Sequence, residues 1–393
     1  KVVRSDKTDV TYPFTKTKAL ISNYLKRGKK KSEKLSRKFE KANPSFNNGS
    51  PKFGKEALID RIRGFLFAIF EFPDKYIGWL PNAVRESIRL IREEKIEAIF
   101  TTAPPHSLFL MALLVKKITK VKLILDYRDP WALSRWDRGN SLKSMLEKWL
   151  ERSAIKAADL CLFVTPKLRE EYAKVYGQFG QSKFKVFSNG YDPDDFKQIA
   201  VNDSFGQGKD FVRFVHLGTL YKKRDPSNIF LAIAELLNEG VLKPKAVYFD
   251  FIGTVARELR NIHELIEKLN LTEVVRFLPP VPFAESLRTM YQADCLLLIQ
   301  PGTDLQIPAK LFEYMFTRKP ILAISEPKSA TEQAILEGQL GIFAPAGDVA
   351  QIKNAIIKCL EIINQKIEPN EAYIQQFDYS KYIKILEENL ESI

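Results

Sequence analysis

Cysteine and histidine are scarce, three of each in 393 residues, and neither set is clustered. Cys161, Cys295 and Cys359 lie far apart, as do His106, His216 and His263, so neither a metal-ligand spacing nor a disulfide framework can be drawn from them. No metal and no cofactor is expected. Cys161 and Cys295 sit inside apolar runs and read as small buried hydrophobes of a reducing compartment, which points to the cytoplasm. Also missing is any run of about 18 apolar residues, the length needed to span a bilayer, and the start does not read as a signal peptide. Lys1 stands first, not Met, as it would in an N-terminally incomplete fragment. Acidic residues are outnumbered: the formal charge is +13 and the sequence pI about 9.3. An acidic partner is implied, whether nucleotide, anionic lipid surface or nucleic acid.

What is present is enough apolar matter, 45% of residues with 11% aromatic, to exclude a disordered chain and to fill two cores. Residues 1–52 stand apart. Lys26 to Lys41 is dominated by Lys and Arg with little to bury, and Asn43-Pro44 to Pro51 is turn-rich, a basic, poorly ordered connection or a solubilising loop. From Phe53 to Phe72, Leu58, Ile59, Ile62, Phe65, Leu66, Ile69 and Phe70 recur at helical spacing with Lys55, Arg61 and Arg63 between them. That segment can lie in a membrane interface or pack on its own domain.

Helices and strands alternate from Pro81. Helix over Val84 to Arg92, strand Ala98 to Thr102, helix His106 to Lys117, strand Lys122 to Tyr127, helix Leu142 to Ala158, strand Leu160 to Thr165, helix Lys167 to Tyr176 and strand Phe184 to Phe187 make parallel βαβ units. The opening strand and glycine-rich turn usual in such a domain are not evident. Asp192 to Asp195 and the Gly206-Gln-Gly208 break mark a boundary, after which the alternation restarts. Strand Phe211 to Leu217, helix Pro226 to Asn238, strand Ala246 to Ile252, helix Ala256 to Leu269, strand Val274 to Leu278 and helix Ala284 to Tyr291 lead to strand Leu296 to Ile299. The predicted class is α/β with two doubly wound Rossmann-like domains, 53–200 and 201–376, and a last helix over 377–393.

Two loops carry the chemistry. In the first, Gly218-Thr219-Leu-Tyr-Lys222-Lys223-Arg224-Asp225-Pro226 runs from a strand into a helix, with Asp225 as N-cap and Pro226 as first helical residue. Glycine lets a ligand approach the backbone, and three cations ahead of a positive helix end favour a diphosphate. An exposed basic turn would look the same. The second follows Pro301-Gly302. Pro308 opens a helix on which Lys310 and Glu313 share a face: an ammonium for phosphate and a carboxylate for the two hydroxyls of a ribose, or a solvated ion pair. In the N-terminal half, His106 and the Asp126-Tyr-Arg128-Asp129-Pro-Trp131 segment both begin where a strand ends. They could bind sugar hydroxyls and shuttle a proton, or hold the loops by structural hydrogen bonds and ion pairs.

Pro308-x-Lys310-Leu311-Phe-Glu313-Tyr314 with Lys319-Pro-Ile-Leu-Ala323 resembles the donor-site segment of GT-B glycosyltransferases, family four, the retaining nucleotide-sugar enzymes. Gly218-Thr-Leu-Tyr with Arg224-Asp-Pro resembles the loop whose basic residues hold the donor diphosphate in that family, and Pro-Pro-His106-Ser with Asp-x-Arg-Asp129-Pro-Trp resembles its acceptor-side segments. The resemblance implies two domains facing a cleft, a donor held by Gly218, Thr219, Lys223, Arg224, Lys310, Leu311 and Glu313, and catalytic roles for His106 and Asp129. It also implies that the terminal helix crosses back to the first domain. Where many members carry a second glutamate, eight residues before the first, this chain has Leu305. The implied reaction is transfer of a sugar to an acceptor hydroxyl with retention. Lys310 and Arg224 at the diphosphate and the lack of clustered acidic ligands make it metal-independent. The basic charge with the 53–72 helix suggests a glycan or lipid-linked acceptor of cell-envelope polysaccharide or glycolipid synthesis and peripheral attachment to the inner membrane face. Three alternatives remain: a non-catalytic subunit or scaffold of the same fold, a nucleotide-sugar epimerase, and nucleic-acid binding through 26–41, the least favoured.

Overall fold

The computed structural model describes residues 72–133, 142–197, 199, 210–365 and 368–391. The basic stretch 1–52 and the amphipathic segment that starts at Phe53 lie, but for Phe72, outside the described residues, as does the region where an opening strand would stand. The chain separates into two compact units, Lys1–Asp159 and Leu160–Ile393.

The first unit contains α1 (Leu80–Glu93), β1 (Ala98–Ala103), α2 (Ser107–Thr119), β2 (Lys122–Tyr127) and α3 (Leu142–Ala157). β1 and β2 pair in parallel from Ala98↔Lys122 to Ala103↔Tyr127, so the loops that follow them leave from one rim. The second unit begins with β3 (Leu160–Phe163), α4 (Pro166–Tyr176), β4 (Phe184–Val186) and α5 (Pro193–Lys197). A four-stranded sheet has the order β1-β2-β3-β4.

From β5 (Val212–Leu217) the chain builds a six-stranded sheet. The elements are α6 (Ser227–Asn238), β6 (Val247–Ile252), α7 (Ile262–Lys268), β7 (Val275–Leu278), α8 (Phe283–Gln292), β8 (Cys295–Gln300), α9 (Ala309–Thr317), β9 (Ile321–Ser325), α10 (Ala330–Glu337), β10 (Gly341–Pro345) and α11 (Val349–Gln365). Two further helices, α12 (Glu371–Gln375) and α13 (Tyr379–Glu391), end the described chain. Every residue of β8 and of β9 is buried, as expected of parallel strands covered on both faces. Side chains alternate across the sheet: Cys295, Leu297 and Ile299 join α6 and α11 in one core, while Leu296 and Leu298 join α8, α9 and α10 in another. Each buried Leu or Ile contributes about 1.5–3 kcal/mol, so this strand alone anchors both layers.

The strand order is β10-β9-β8-β5-β6-β7. It reverses direction at β5, between β5 and β8, and in open parallel sheets ligands bind beyond the carboxyl ends of the strands at such a point.

α1 begins at Leu80, ahead of the expected Val84, α4 and α8 begin one residue early, and three further helix starts differ from the sequence reading in their caps. Pro226 and Pro308 are N-caps, not first helical residues, and the side chain of Asp225 serves one step away from the expected cap, its carboxylate accepting from Ser227 N (2.9 Å) and Ser227 Oγ (2.5 Å). His106 does not begin α2 but precedes it, and Asp74 supplies the side-chain acceptor there, taking the Ser107 N–H at 2.7 Å. The single helix expected over Ala256 to Leu269 is a 3-10 turn, Arg257–Leu259, followed by α7. Near the C-terminus, the N–H of Tyr379 donates to Tyr191 O, and the Tyr382 ring packs on Phe187.

Candidate functional site

β5 and β8 pair through Phe214↔Cys295 and Val215↔Leu296, and no further. Beyond that register, side chains take over the ladder. The Leu297 carbonyl accepts from His216 Nδ1 at 3.0 Å, and Leu217 N–H donates to the Tyr314 hydroxyl at 3.1 Å. Two backbone groups that a continuing ladder would have paired are thus satisfied by an imidazole and a phenol, and the strands part without leaving an unpaired amide. The loops after β5 and β8 flank that opening.

On the β5 side the chain turns at Gly218, whose φ of +151° lies where side chains with a Cβ are strained. Gly218 N–H donates to Ile252 O at 3.0 Å, and Leu220 bridges to Val255, so the turn is tied to the end of β6. A 3-10 turn over Lys222–Arg224 follows. Thr219, Lys222 and Lys223 are exposed. Arg224 folds inward: one guanidinium nitrogen lies 3.7 Å from where a Cβ on Gly218 would stand, and its Nε is buried without a hydrogen-bond partner. His216 Nε2 stands 3.6 Å from the same point and is likewise buried and unpartnered. Burial pulls the His216 imidazole down to about 4, and the nearby Arg224 charge adds to the effect. It is therefore neutral at pH 7, with its one proton on the nitrogen that faces Leu297 and a lone pair on Nε2.

On the β8 side Gly302 N–H donates to Glu326 Oε1 at 2.6 Å, and Thr303 Oγ1 to Gln306 Oε1 at 3.0 Å. Lys310 Nζ and Glu313 Oε2 are 2.5 Å apart, both about a quarter exposed. The ion pair exists, then, partly exposed near the start of α9, the helix that follows β8. Tyr314 connects the two loops: its phenol is buried, pushed well above its ordinary pKa by that burial, and responds to the charges of both Glu313 and Arg224.

Leu311 has its side chain wholly buried in the core and its N–H donates to Pro308 O, so its side chain shapes α9 from within. Leu305 is also buried, and the neighbouring Asp304 is held near Lys167 Nζ at 3.5 Å; no carboxylate takes the place of a second glutamate.

In the first unit His106 stacks on Trp131 with centroids 4.8 Å apart and planes 9° off parallel. Burial lowers its pKa to about 4, partly opposed by Asp74. Asp126 is buried, accepts from Arg128 Nε (2.9 Å) and Thr102 Oγ1 (3.1 Å), and is shifted upward by burial. The expected internal ion pair thus forms between Asp126 and Arg128, while Asp129 sits half-buried on the same loop.

Sequence reasoning passed over His216, Tyr314 and Gly253. A Cβ at Gly253 would fall 2.2 Å from Gly218 O, so Gly253 makes room for the turn itself. Its signal was legible: Ile252-Gly253-Thr254 repeats the Leu217-Gly218-Thr219 wording at the end of the adjacent strand.

The chain matches two family models in succession, Glycosyltransferase Family 4 over residues 47–195 and Glycosyl transferases group 1 over residues 200–375. Among curated protein sequences none matches it. Similar solved structures include Anabaena HepE in complex with UDP, at 18% identity and a TM-score of 0.59 over 79% of this chain and 82% of that one. Sucrose-phosphate synthase from Thermosynechococcus elongatus aligns at 13% identity and TM-score 0.61, covering 81% and 79%. The α,α-trehalose 6-phosphate synthase of Burkholderia multivorans aligns at 13% and 0.62, covering 81% and 76%. At such identities the likeness is one of fold.

Proposed function

The chain belongs to the GT-B glycosyltransferases, and from that membership we propose that it moves a hexosyl unit from a nucleotide-sugar donor to an acceptor hydroxyl, with retention at the anomeric carbon. The observation that carries the reading is the parting of β5 and β8 at the sheet's switch point, with an inward-folded Arg224 on one bank and the Lys310–Glu313 pair on the other. Lys310 and Arg224 neutralise the nucleoside diphosphate as its charge builds in the transition state, which counts for most where water is excluded. Glu313, released from Lys310, accepts from the ribose hydroxyls. Gly218 lets the phosphates approach the backbone, with Thr219 and Lys223 at the exposed mouth. The solved complexes of HepE with UDP and with UDP-glucose support a donor of this class.

His106 and Asp129 are assigned to the acceptor, a glycan or lipid-linked hydroxyl of envelope polysaccharide or glycolipid synthesis. The enzyme acts without a metal ion, at the cytoplasmic face of a membrane to which it is peripherally attached. Among the described residues no helix is long and apolar enough to cross a membrane.

Incubating the purified chain with a panel of nucleotide sugars and acceptors tests the reading. Lys310→Ala and Glu313→Ala each remove a charged hydrogen-bonding group, about 1.5–3 kcal/mol, and are expected to lower kcat/KM for the donor roughly ten- to a hundredfold; transfer at the wild-type rate would overturn the assignment. Rates unchanged by EDTA are expected for metal-free transfer. The buried Leu305, where a second carboxylate would stand, favours one other reading, a nucleotide-binding subunit without catalysis. That reading gains if donor binds and is neither transferred nor hydrolysed.

A further inference from the structure

α3 turns a face to solvent that its own unit does not cover. Leu142, Met145, Leu146 and Trp149 are 57, 64, 41 and 61% exposed, and at 3.6 residues per turn they fall within about 100° of arc. The opposite face, with Leu150, Ala154 and Ile155, is buried. Charge is sorted in the same way. Lys143, Lys148, Arg152 and Lys156 are exposed, whereas both acidic residues of the helix, Glu147 and Glu151, are buried. Lys143 lies on one flank of the apolar stripe and Lys148 and Arg152 on the other. Glu147 is 3.7 Å from Lys143, and Glu151 accepts from Ala132 N at 3.3 Å. The outward face of α3 therefore shows only apolar and cationic side chains, apart from the half-buried Ser153 and Ala157.

That pairing selects the occupant. A second copy seated face to face by a two-fold axis would press cations on cations. The Phe53 to Phe72 segment of the same chain sets Glu56, Asp60 and Glu71 against Lys55, Arg61 and Arg63 and so brings no net negative charge to complement the cations of α3. A nucleic-acid backbone would pair with the cations and leave the Leu142, Met145 and Leu146 stripe in water. An anionic bilayer satisfies both parts, taking the stripe among its acyl chains and the cations among its headgroups. We propose that the outward face of α3 docks on an anionic lipid surface, with Trp149 at the interface. The inference deepens the peripheral location proposed above and uses no donor chemistry.

The test is flotation of the full chain with phosphatidylcholine vesicles, with and without phosphatidylglycerol, in the absence of donor and acceptor, so that failure here leaves the transfer reading untouched. Binding to the anionic vesicles and a blue shift of tryptophan emission are expected. Trp149→Phe should keep the binding and lose most of the shift, which assigns the signal to this residue. Met145→Glu with Trp149→Glu should abolish the insertion while thermal unfolding stays in place, because both side chains are exposed. Lys148→Ser with Lys156→Ser should weaken partitioning roughly thirtyfold, the equivalent of about 1 kcal/mol per cation. The proposal is overturned if the Glu double variant binds and shifts like wild type, or if it dissolves a dimer and leaves vesicle binding unchanged.

Discussion

A neutral imidazole locked by one nitrogen and bare at the other is a costly thing to bury beside a guanidinium. His216 and Arg224 each hold an unsatisfied nitrogen, the acceptor Nε2 of His216 beside Gly218 and the donor Nε of Arg224, whose guanidinium reaches the same glycine through a terminal nitrogen. The complementarity explains why the arrangement persists: the imidazole lone pair is electrostatically welcome to Arg224, whereas an imidazolium would repel it. The cost shows in pH dependence. The unfolded chain protonates His216 below about pH 6.5 and the folded chain only near 4, so between those values the unfolded state binds more protons and stability falls as pH falls. By pH 4 the loss attributable to this one group is about 3 kcal/mol. His216→Gln keeps an N–H for Leu297 O and cannot titrate in that range. Urea unfolding at pH 7, 5.5 and 4.5 should show a shallower decline for the variant than for wild type; parallel curves would refute the account. Arg224→Ala should act on binding instead, raising the donor KM ten- to a hundredfold, since a buried charged donor contributes about 1.5–3 kcal/mol to a phosphate contact. Arg224 and Lys310 could be found in the sequence because charge next to a strand end and a helix start is visible there. His216 and Tyr314 could not, because each replaces a missing ladder bond between β5 and β8, and only the strand register shows which bonds are missing.

Elements were easier to find than their ends. Apolar runs such as Leu296 to Ile299 admit one outcome in a covered parallel sheet, and β8 extends that run by a single residue each way. The Ala256 to Leu269 periodicity was true of the burial pattern but not of the backbone. Ala256 N–H donates to Leu220 O, an attachment to the Gly218 loop that sequence spacing cannot reveal, and the chain reaches Ile262 through a 3-10 turn. The same coupling makes Gly253 an element-scale hinge for the site. Gly253→Ala adds a Cβ 2.2 Å from Gly218 O at a φ of +148°, so backbone must move, and a cost of about 2–4 kcal/mol is expected. Gly240→Ala is the comparison: its φ is also positive, +74°, but nothing lies within 4 Å of the new atom, leaving about 1–2 kcal/mol of strain alone. Equilibrium denaturation should rank the two in that order, and only the Gly253 variant should raise the donor KM, since only it displaces the turn proposed to face the phosphates.

Over the whole molecule, an excess of 13 positive charges is divided, in the readings proposed above, between two kinds of anion. In the reading proposed above, a nucleoside diphosphate meets Arg224 and Lys310, which lie in the second compact unit, and an anionic surface meets α3, which lies in the first. Because ligand bound to the folded state alone stabilises it by mass action, UDP at a hundred times its Kd should add about 2.7 kcal/mol. That gain should fall to about 0.4–1.4 kcal/mol with Arg224→Ala at the same UDP concentration and remain intact with Met145→Glu and Trp149→Glu. Salt offers a second separation. Exposed charges are screened over about 10 Å at 0.1 M ionic strength, and partly buried ones much less. Vesicle binding through α3 should therefore weaken steeply between low and high salt, while UDP affinity, resting on a guanidinium whose Nε is buried and an ion pair about a quarter exposed, should fall by a smaller factor. If titration calorimetry and flotation at matched salt gave equal slopes, the UDP would be held by the diffuse positive surface and not by the opening between β5 and β8.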